Sequence, residues 1–134
     1  MAPEGLQQLL TQADGRLIVF YDGGCPLCRR EIRHYRRMDR QGGIFWQDIA
    51  HQPQVLNDTG IGFRDAMALF HVVEPSGRIV VGAHGFVRIW QRLPGYRWLG
   101  AVCRYTGLVW PMDGAYRLFA AWRWKRRSAC ATCA

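Results

Sequence analysis

The 134-residue chain has no apolar run long enough to cross a membrane. The longest uncharged apolar stretch of its second half, Tyr105–Met112, is interrupted by Gly107 and Pro111 and is far shorter than the roughly 20 residues of a spanning helix. Residues 1–15 lack a basic region followed by an apolar segment, so we expect no secretory signal and a cytoplasmic location. Internal repeats and linkers are also absent, which predicts a single domain over residues 1–134.

Acidic residues are few, with 10 Asp plus Glu against 18 Lys plus Arg, and the net charge is +8 at pH 7. The cations cluster in Arg29–Arg40 and Arg123–Arg127, which predicts a solvated basic surface or a site for an anionic partner. Nucleic acid is not expected, because no recognition motif accompanies these clusters. Trp122–Arg127 is compatible with a membrane interface, but we favour a terminal helix that packs its aromatic side chains on the body and keeps its cations in water.

The first half of the chain predicts a strand, a helix and a second strand. Leu17–Tyr21 is a continuous apolar run that ends at Asp22-Gly23-Gly24, which is typical of a strand buried on both faces. Pro26–Arg40 follows a helical period, with its arginines on the face opposite the apolar residues, and Ile44–Trp46 begins another apolar strand. Short connections make this a βαβ unit, so the two strands should be parallel.

A β-hairpin is predicted next. Met67–Val73 and Arg78–Val81 flank Glu74–Gly77, a tetrapeptide with Pro second and Gly fourth that suits a type I turn. Apolar residues from Phe86 to Leu93 then recur at helical spacing, so we expect a helix that closes the sheet.

Two further helices are predicted, over Tyr96–Tyr105 and over Asp113–Arg126, with Asp113 as the cap of the second. The expected architecture is therefore an α/β fold with an N-terminal βαβ unit, a β-hairpin and additional C-terminal helices. We expect residues 16–93 to form its core, residues 96–127 a helical extension and residues 128–134 a mobile tail.

Five cysteines in a chain without an export signal indicate redox or metal chemistry rather than a disulfide scaffold. They are Cys25, Cys28, Cys103, Cys130 and Cys133. Cys103 lies among apolar residues and is expected to be a buried small hydrophobe. Cys25 and Cys28 lie just after a buried strand and at the start of an amphipathic helix, where unpaired N–H groups and the helix dipole stabilise a thiolate.

We therefore predict that Cys25 is a nucleophile and that Cys28, one turn further along, is the resolving thiol. Arg29 and Arg30 are expected to favour the thiolate through their charge. Asp22 has two readings, because its side chain either caps the Gly23-Gly24 turn or accepts the proton of Cys28 during resolution. No cofactor is predicted.

The alternative to redox chemistry is a zinc site. Cys25 and Cys28 would then be joined by Cys130 and Cys133 as ligands, and the basic aromatic tail would bind an anionic partner. A third reading is an inactive domain that serves only in protein contacts. The pair Cys130 and Cys133 would otherwise relay electrons to the first pair, bind metal or have no role.

The segment Phe20-Tyr-Asp-Gly-Gly-Cys-Pro-Leu-Cys28 resembles the signature of the DCC family of thiol-disulfide oxidoreductases, whose Asp, Cys and Cys correspond to Asp22, Cys25 and Cys28. The resemblance implies a thioredoxin-like fold and an enzyme that exchanges disulfides with a protein or a small thiol. Enzymes of this fold usually carry a cis-proline that faces the cysteines, but this chain has no proline near Met67. We expect the loop Arg64–Ala66 to take its place.

Overall fold

The computed structural model describes residues 3–40 and 42–129. The secondary structure runs α1 Glu4–Ala13, β1 Leu17–Tyr21, α2 Pro26–Met38, β2 Ile44–Asp48, a 3₁₀ turn Pro53–Leu56, α3 Phe63–Ala68, β3 His71–Val73, β4 Ile79–Val81, α4 Ala83–Arg92, α5 Arg97–Thr106 and α6 Val109–Ala129. The four strands form one mixed sheet in the order β2-β1-β3-β4.

Strand β1 lies at the centre of the sheet. It pairs in parallel with β2, placing Val19 opposite Trp46, and antiparallel with β3, placing Val19 opposite Val72. The predicted βαβ unit is thus confirmed. The hairpin of β3 and β4 is also confirmed, and in its turn the Gly77 N–H donates to the Glu74 carbonyl over 2.8 Å. A parallel βαβ unit followed by an antiparallel hairpin and a helix is a thioredoxin-like arrangement.

All five residues of β1 are buried, because helices cover both faces of the sheet. Ile18 and Phe20 point to the side of α1 and α3, where they pack with Leu6 and Met67. Leu17, Val19 and Tyr21 point to the side of α2 and α4, and their cluster includes Ile32, Tyr35, Ile89 and Leu93. The continuous apolar run of β1 therefore has the two-sided burial that its sequence predicts.

Helix α1 has no counterpart in the sequence prediction. Its Leu6, Leu9 and Ala13 are buried in the core. Gly5 lies against the backbone of Asn57 and Asp58, and its N–H donates to the Asp58 carbonyl over 2.8 Å. A side chain at Gly5 would overlap that backbone, so this close approach requires a glycine.

The strand predicted over Met67–Val73 is wrong in its first half. Phe63–Ala68 is helix α3, and only His71–Val73 is strand. A short apolar run fits either period. The run here contains both the buried end of a helix, at Ala66 and Met67, and a buried strand.

The predicted start of the last helix is also wrong. Helix α6 begins at Val109, with Pro111 in its first turn, where a missing N–H does no harm. Asp113 lies inside α6 and instead accepts a hydrogen bond from the N–H of Ala83, the first residue of α4, over 3.0 Å. It therefore caps a neighbouring helix. Gly82, with φ of 75°, approaches the Asp113 carboxylate so closely that a side chain there would collide with it.

Candidate active site

The Cys25 thiol lies at the N-terminus of α2. Cys25 has extended backbone (φ −89°, ψ 119°) and is the N-cap residue, so its Sγ accepts a hydrogen bond from the Cys28 N–H over 3.5 Å. Pro26 occupies the first helical position, where no N–H is needed. The Cys25 side chain thus takes the place of the Ser or Asp oxygen usual at an N-cap.

Cys25 and Cys28 lie 3.3 Å from each other. Burial by itself would raise the pKa of Cys25, but hydrogen bonds from Cys28 and the charge of Arg123 outweigh it and hold the pKa below its usual value. Burial, with the nearby Cys25 and Asp22, raises the pKa of Cys28 to about 12, although Arg123 opposes this. The two thiols therefore differ in character, with the thiolate favoured at the first.

Asp22 precedes the two cysteines and is 3% exposed. Its Oδ1 accepts a hydrogen bond from the Gly24 N–H over 3.0 Å, which is the turn cap that one sequence reading expects. Its Oδ2 lies 3.2 Å from Nη1 of Arg123, in a buried ion pair. Proton transfer from Cys28 to Asp22, the other reading, stays a prediction.

Arg123 is the residue of this site that the sequence analysis missed. It comes from α6, has a side chain 11% exposed, and donates from Nη2 to the Met67 carbonyl over 2.7 Å and to the Ala68 carbonyl over 3.3 Å. We expected Arg29 and Arg30 to supply the positive charge, but both are exposed, and the charge that acts on both thiols is that of Arg123. Nothing in the sequence distinguishes Arg123 from the other cations of the cluster Arg123–Arg127.

The expected arrangement of the C-terminal helix is thereby reversed in part. Trp124 packs against the core, as predicted, but Trp122 is exposed, and Arg123 is turned inward instead of into water.

Among the described residues no peptide bond is cis. The segment Arg64–Ala66, which was expected to replace the cis-proline as a loop, belongs to helix α3. The carbonyls of the next two residues, Met67 and Ala68, accept hydrogen bonds from Arg123.

Asp48, the last residue of β2, holds the turn that leads into α2. Its Oδ1 accepts hydrogen bonds from the N–H groups of Gly23 over 3.0 Å and Ala50 over 3.1 Å, and its Oδ2 lies 2.6 Å from Nδ1 of His51. The approach is so close that a Cβ at Gly23 would overlap the Asp48 carboxylate. This explains one of the two glycines before Cys25.

A cleft of about 400 Å³ opens beside Cys28. Helices α2, α3, α4 and α6 all contribute to its walls, which are mainly apolar and aromatic. Its lining residues include Leu27, Met67, Phe119 and Arg123, together with Phe86 and Trp90 of α4 and others. Its size and lining are those of a site for an apolar group.

Cys103 does not line this cleft. Cys103 is buried, as predicted, and its Sγ lies 3.6 Å from Sδ of Met112. Cys130 and Cys133 lie outside the described residues, so the four-cysteine zinc site cannot be assembled from the structure. Within residues 3–40 and 42–129, no three His, Cys, Asp or Glu side chains cluster as metal ligands would.

None of the helices in that part of the chain is long and apolar enough to cross a membrane.

Comparison with known proteins adds the family. The chain is 26% identical over 110 residues to an Arabidopsis thaliana protein described as uncharacterised and chloroplastic, and this match covers 81% of the chain and 51% of the plant protein. The chain thus spans about half the length of that relative. No solved structure matches the chain. Residues 19–128, which include both cysteines and Arg123, match the family described as DCC1-like thiol-disulfide oxidoreductase. The chain therefore belongs to the DCC1-like thiol-disulfide oxidoreductase family.

Proposed function

We propose that the chain exchanges disulfides through Cys25 and Cys28, with Cys25 as nucleophile and Cys28 as resolving thiol. The observation that carries this proposal is the placement of two free cysteines, 3.3 Å from each other, at the start of α2, with a buried guanidinium beside them. The lowered pKa of Cys25 agrees with it, because only the thiolate attacks a disulfide.

In the first step the Cys25 thiolate attacks one sulfur of the substrate disulfide. A bond forms between that sulfur and Cys25 Sγ, the substrate S–S bond breaks, and the second substrate sulfur leaves as a thiolate that takes a proton from water. The Cys28 N–H, which donates to Cys25 Sγ in the reduced chain, keeps the nucleophile in place for this attack.

In the second step Cys28 attacks Cys25 Sγ. The bond between Cys25 and the substrate breaks, the Cys25–Cys28 disulfide forms and the remaining substrate sulfur leaves as a thiolate that takes a proton from water, so the substrate gains the two electrons that the two cysteines lose. Because the pKa of Cys28 is raised to about 12, a base must take its proton. Asp22 is the candidate, since it is buried beside the thiols and its charge acts on Cys28.

The cleft beside Cys28 indicates which disulfides fit. The Met67 and Ala68 carbonyls already accept hydrogen bonds from Arg123, so an extended peptide would have to share these acceptors with the guanidinium. We therefore propose that binding comes mainly from an apolar group of the substrate that enters this cleft, whose walls are mainly apolar and aromatic. Disulfides flanked by large apolar or aromatic groups should react faster than those flanked by small polar ones. We expect a reduction potential between about −270 and −200 mV, the range from thioredoxin to glutaredoxins.

The test is to trap the mixed disulfide. In a Cys130→Ser/Cys133→Ser background, which removes the second pair, the Cys28→Ser variant should form a stable adduct with a disulfide substrate, seen by mass spectrometry at Cys25. Cys25→Ser should lower the exchange rate by about a thousandfold or more, as removal of a nucleophile does. The buried Cys103 supplies the control, because Cys103→Ala should leave the exchange rate unchanged.

Other outcomes would support the alternatives. One tightly bound zinc per chain in protein purified with reductant would favour the zinc-binding reading. Exchange that persists in Cys25→Ser, or wild-type protein without any exchange activity and without metal, would favour a domain that serves only in protein contacts.

A further inference from the structure

Large apolar side chains are exposed mainly on the last two helices. Ten large hydrophobic residues are exposed in the described chain, and seven of them lie between residues 98 and 122. These seven are Trp98, Val102, Tyr105, Leu108, Trp110, Leu118 and Trp122. A monomeric soluble protein seldom exposes so many large apolar groups in one region, and such patches mark interaction sites.

Six of these residues lie on α5 and α6, where their spacing places them on one side of each helix. Trp98, Val102 and Tyr105 follow a helical period on α5, and their side chains are 67%, 43% and 80% exposed. On α6, Trp110, Leu118 and Trp122 are separated by multiples of four residues, with exposures of 70%, 76% and 54%. The two helices contact each other and both pack on α4. We call these outward faces the C-terminal apolar surface.

The charge of this region is almost entirely positive. Residues 93–129 contain seven basic residues and one acidic residue, Asp113. Asp113 is directed toward the N-terminus of α4 and pairs with Arg117, so it does not offset the other cations. Arg97, Arg104 and Lys125 are exposed cations on the same two helices.

We propose that the C-terminal apolar surface docks on a lipid bilayer that contains anionic phospholipids. Exposed Trp, Tyr and Leu among cations are the composition of helices that lie in a membrane interface, where the rings enter the headgroup region and the cations meet anionic headgroups. A second copy of the chain is disfavoured as the occupant, because two such basic faces would repel each other.

Docking would bring the active-site cleft close to the membrane surface. Helix α6 bears Leu118 and Trp122 on its outward face, and it lines the cleft with Tyr116, Phe119 and Arg123. The proposal goes beyond thiol chemistry and does not depend on it, since vesicle binding requires neither cysteine.

The experiment is vesicle co-sedimentation of the full chain. Large unilamellar vesicles of phosphatidylcholine alone are compared with vesicles that contain about 30% phosphatidylserine, at low and high salt. We expect binding to the anionic vesicles, weaker binding at high salt and little binding to phosphatidylcholine. A blue shift of tryptophan fluorescence should accompany binding.

Two pairs of matched variants locate the surface. Trp98→Gln/Leu118→Gln should weaken binding at least about tenfold, whereas Phe63→Gln/Ile79→Gln, which changes two exposed apolar residues elsewhere, should not. Arg104→Gln/Lys125→Gln should weaken binding by about fivefold for each cation, and the equal charge change Arg33→Gln/Arg37→Gln on α2 should have a smaller effect. An unchanged thermal unfolding midpoint shows that each variant is folded.

Three results would overturn the proposal. The first is wild-type protein that does not bind anionic vesicles. The second is equal weakening by the variants on α2 and on the C-terminal apolar surface, which would mean attraction by net charge alone. The third is a stable dimer in light scattering that Trp98→Gln/Leu118→Gln dissociates, which would assign the surface to a second copy.

Discussion

Helices α2 and α6 are both rich in arginine and apolar residues, yet they are oriented in opposite ways. In α2 the apolar Ile32 and Tyr35 are buried, while arginines such as Arg33 are exposed. In α6 the cation Arg123 is turned inward, and Leu118 and Trp122 face outward. The first helix follows the ordinary rule for an amphipathic helix, and the second departs from it at these positions.

The difference shows where each helix obtains its stability. Helix α2 buries an apolar stripe on the sheet, and the Cys28 N–H in its first turn donates a hydrogen bond to the Cys25 side chain. Helix α6 buries a charge, and a buried charge is tolerated only when it is paired and fully hydrogen-bonded. Asp22 and the carbonyls of Met67 and Ala68 provide those partners for Arg123. A helix that departs from amphipathic patterning in this way indicates a functional constraint.

Replacing the buried cation of α6 should have the largest effect. Arg123→Gln removes the ion pair of Asp22 and should lower the free energy of unfolding by about 3 kcal/mol, the usual result of removing one partner of a buried pair. It should also raise the pKa of both thiols, because the charge of Arg123 lowers each of them. Urea unfolding and the rate of Cys25 alkylation against pH are the measurements.

The sign of the alkylation shift follows from the thiolate fraction. In wild type the lowered pKa of Cys25 places the rise of the alkylation rate below the pH at which an ordinary thiol reacts, and in Arg123→Gln this rise moves to higher pH. Lys125→Gln, an exposed change on the same helix, should change neither quantity. An alkylation profile that is unchanged in Arg123→Gln would remove Arg123 from the chemistry.

Substituting one glycine before α2 and one on α6 should change the free energy of unfolding in opposite directions. Gly23→Ala would push the Asp48 carboxylate out of its hydrogen bonds with the turn, so we expect a loss of about 2 kcal/mol in the free energy of unfolding. A Cβ at Gly114 would have no neighbouring atom within 4 Å. Because alanine favours a helix more than glycine does, Gly114→Ala should raise the free energy of unfolding by about 0.5–1 kcal/mol. Thermal unfolding compares the two, and equal effects would contradict the assigned contacts.

Asp113 tests how α6 supports α4. Asp113→Ala removes the acceptor for the Ala83 N–H and should lower the free energy of unfolding by about 1 kcal/mol. Burial tends to raise the pKa of Asp113, but the hydrogen bonds and charge of Arg117 and the Ala83 N–H hold it below its usual value. The contribution of the Asp113 carboxylate to the free energy of unfolding is therefore complete above the pKa of the unfolded chain, about 3.9, and is lost as the pH falls through the lower pKa of the folded chain.

The measurement for Asp113 is urea unfolding at neutral and acidic pH. Asp113→Asn, which keeps an acceptor oxygen but no charge, should be less destabilising at neutral pH than Asp113→Ala. A difference between wild type and Asp113→Ala that stays constant well below pH 4 would contradict the carboxylate cap.

The smallest effect is expected on the outer face of α2. Arg33→Gln removes an exposed cation and should change the free energy of unfolding by no more than about 0.5 kcal/mol. The alkylation profile of Cys25 should not move, since Arg33 is not among the groups that shift its pKa. A clear shift in that profile would show that the basic face of α2 also acts on the thiol, and the contrast with α6 would fail.

Local pattern was sufficient for much of this fold. The run Leu17–Tyr21 and the helical period after Pro26 correctly predicted the parallel βαβ unit and placed Cys25 at a helix start. Glu74–Gly77 correctly predicted the hairpin. In each case the signal lies within a few residues and agrees with the burial that the sheet imposes.

What was missed depends on contacts between distant parts of the chain. The boundary between helix and strand at Ala68 follows from packing of Met67 in the core, which a seven-residue apolar run does not reveal. Asp113 caps a helix 30 residues away, and Arg123 reaches the site from a segment that sequence pattern assigned to the basic surface. One sequence alone carries no signal for such pairings.

The contact between Arg123 and Asp22 joins positions 101 residues apart, so the site needs two distant segments of the chain to meet. Closing so long a loop is entropically unfavourable until the intervening sheet and helices have ordered the chain. During synthesis Cys25 and Cys28 leave the ribosome long before Arg123 does. A nascent chain that ends before Arg123 therefore lacks the complete site. The guanidinium comes to lie beside Cys25 and Cys28 only when helix α6 has been made and packed.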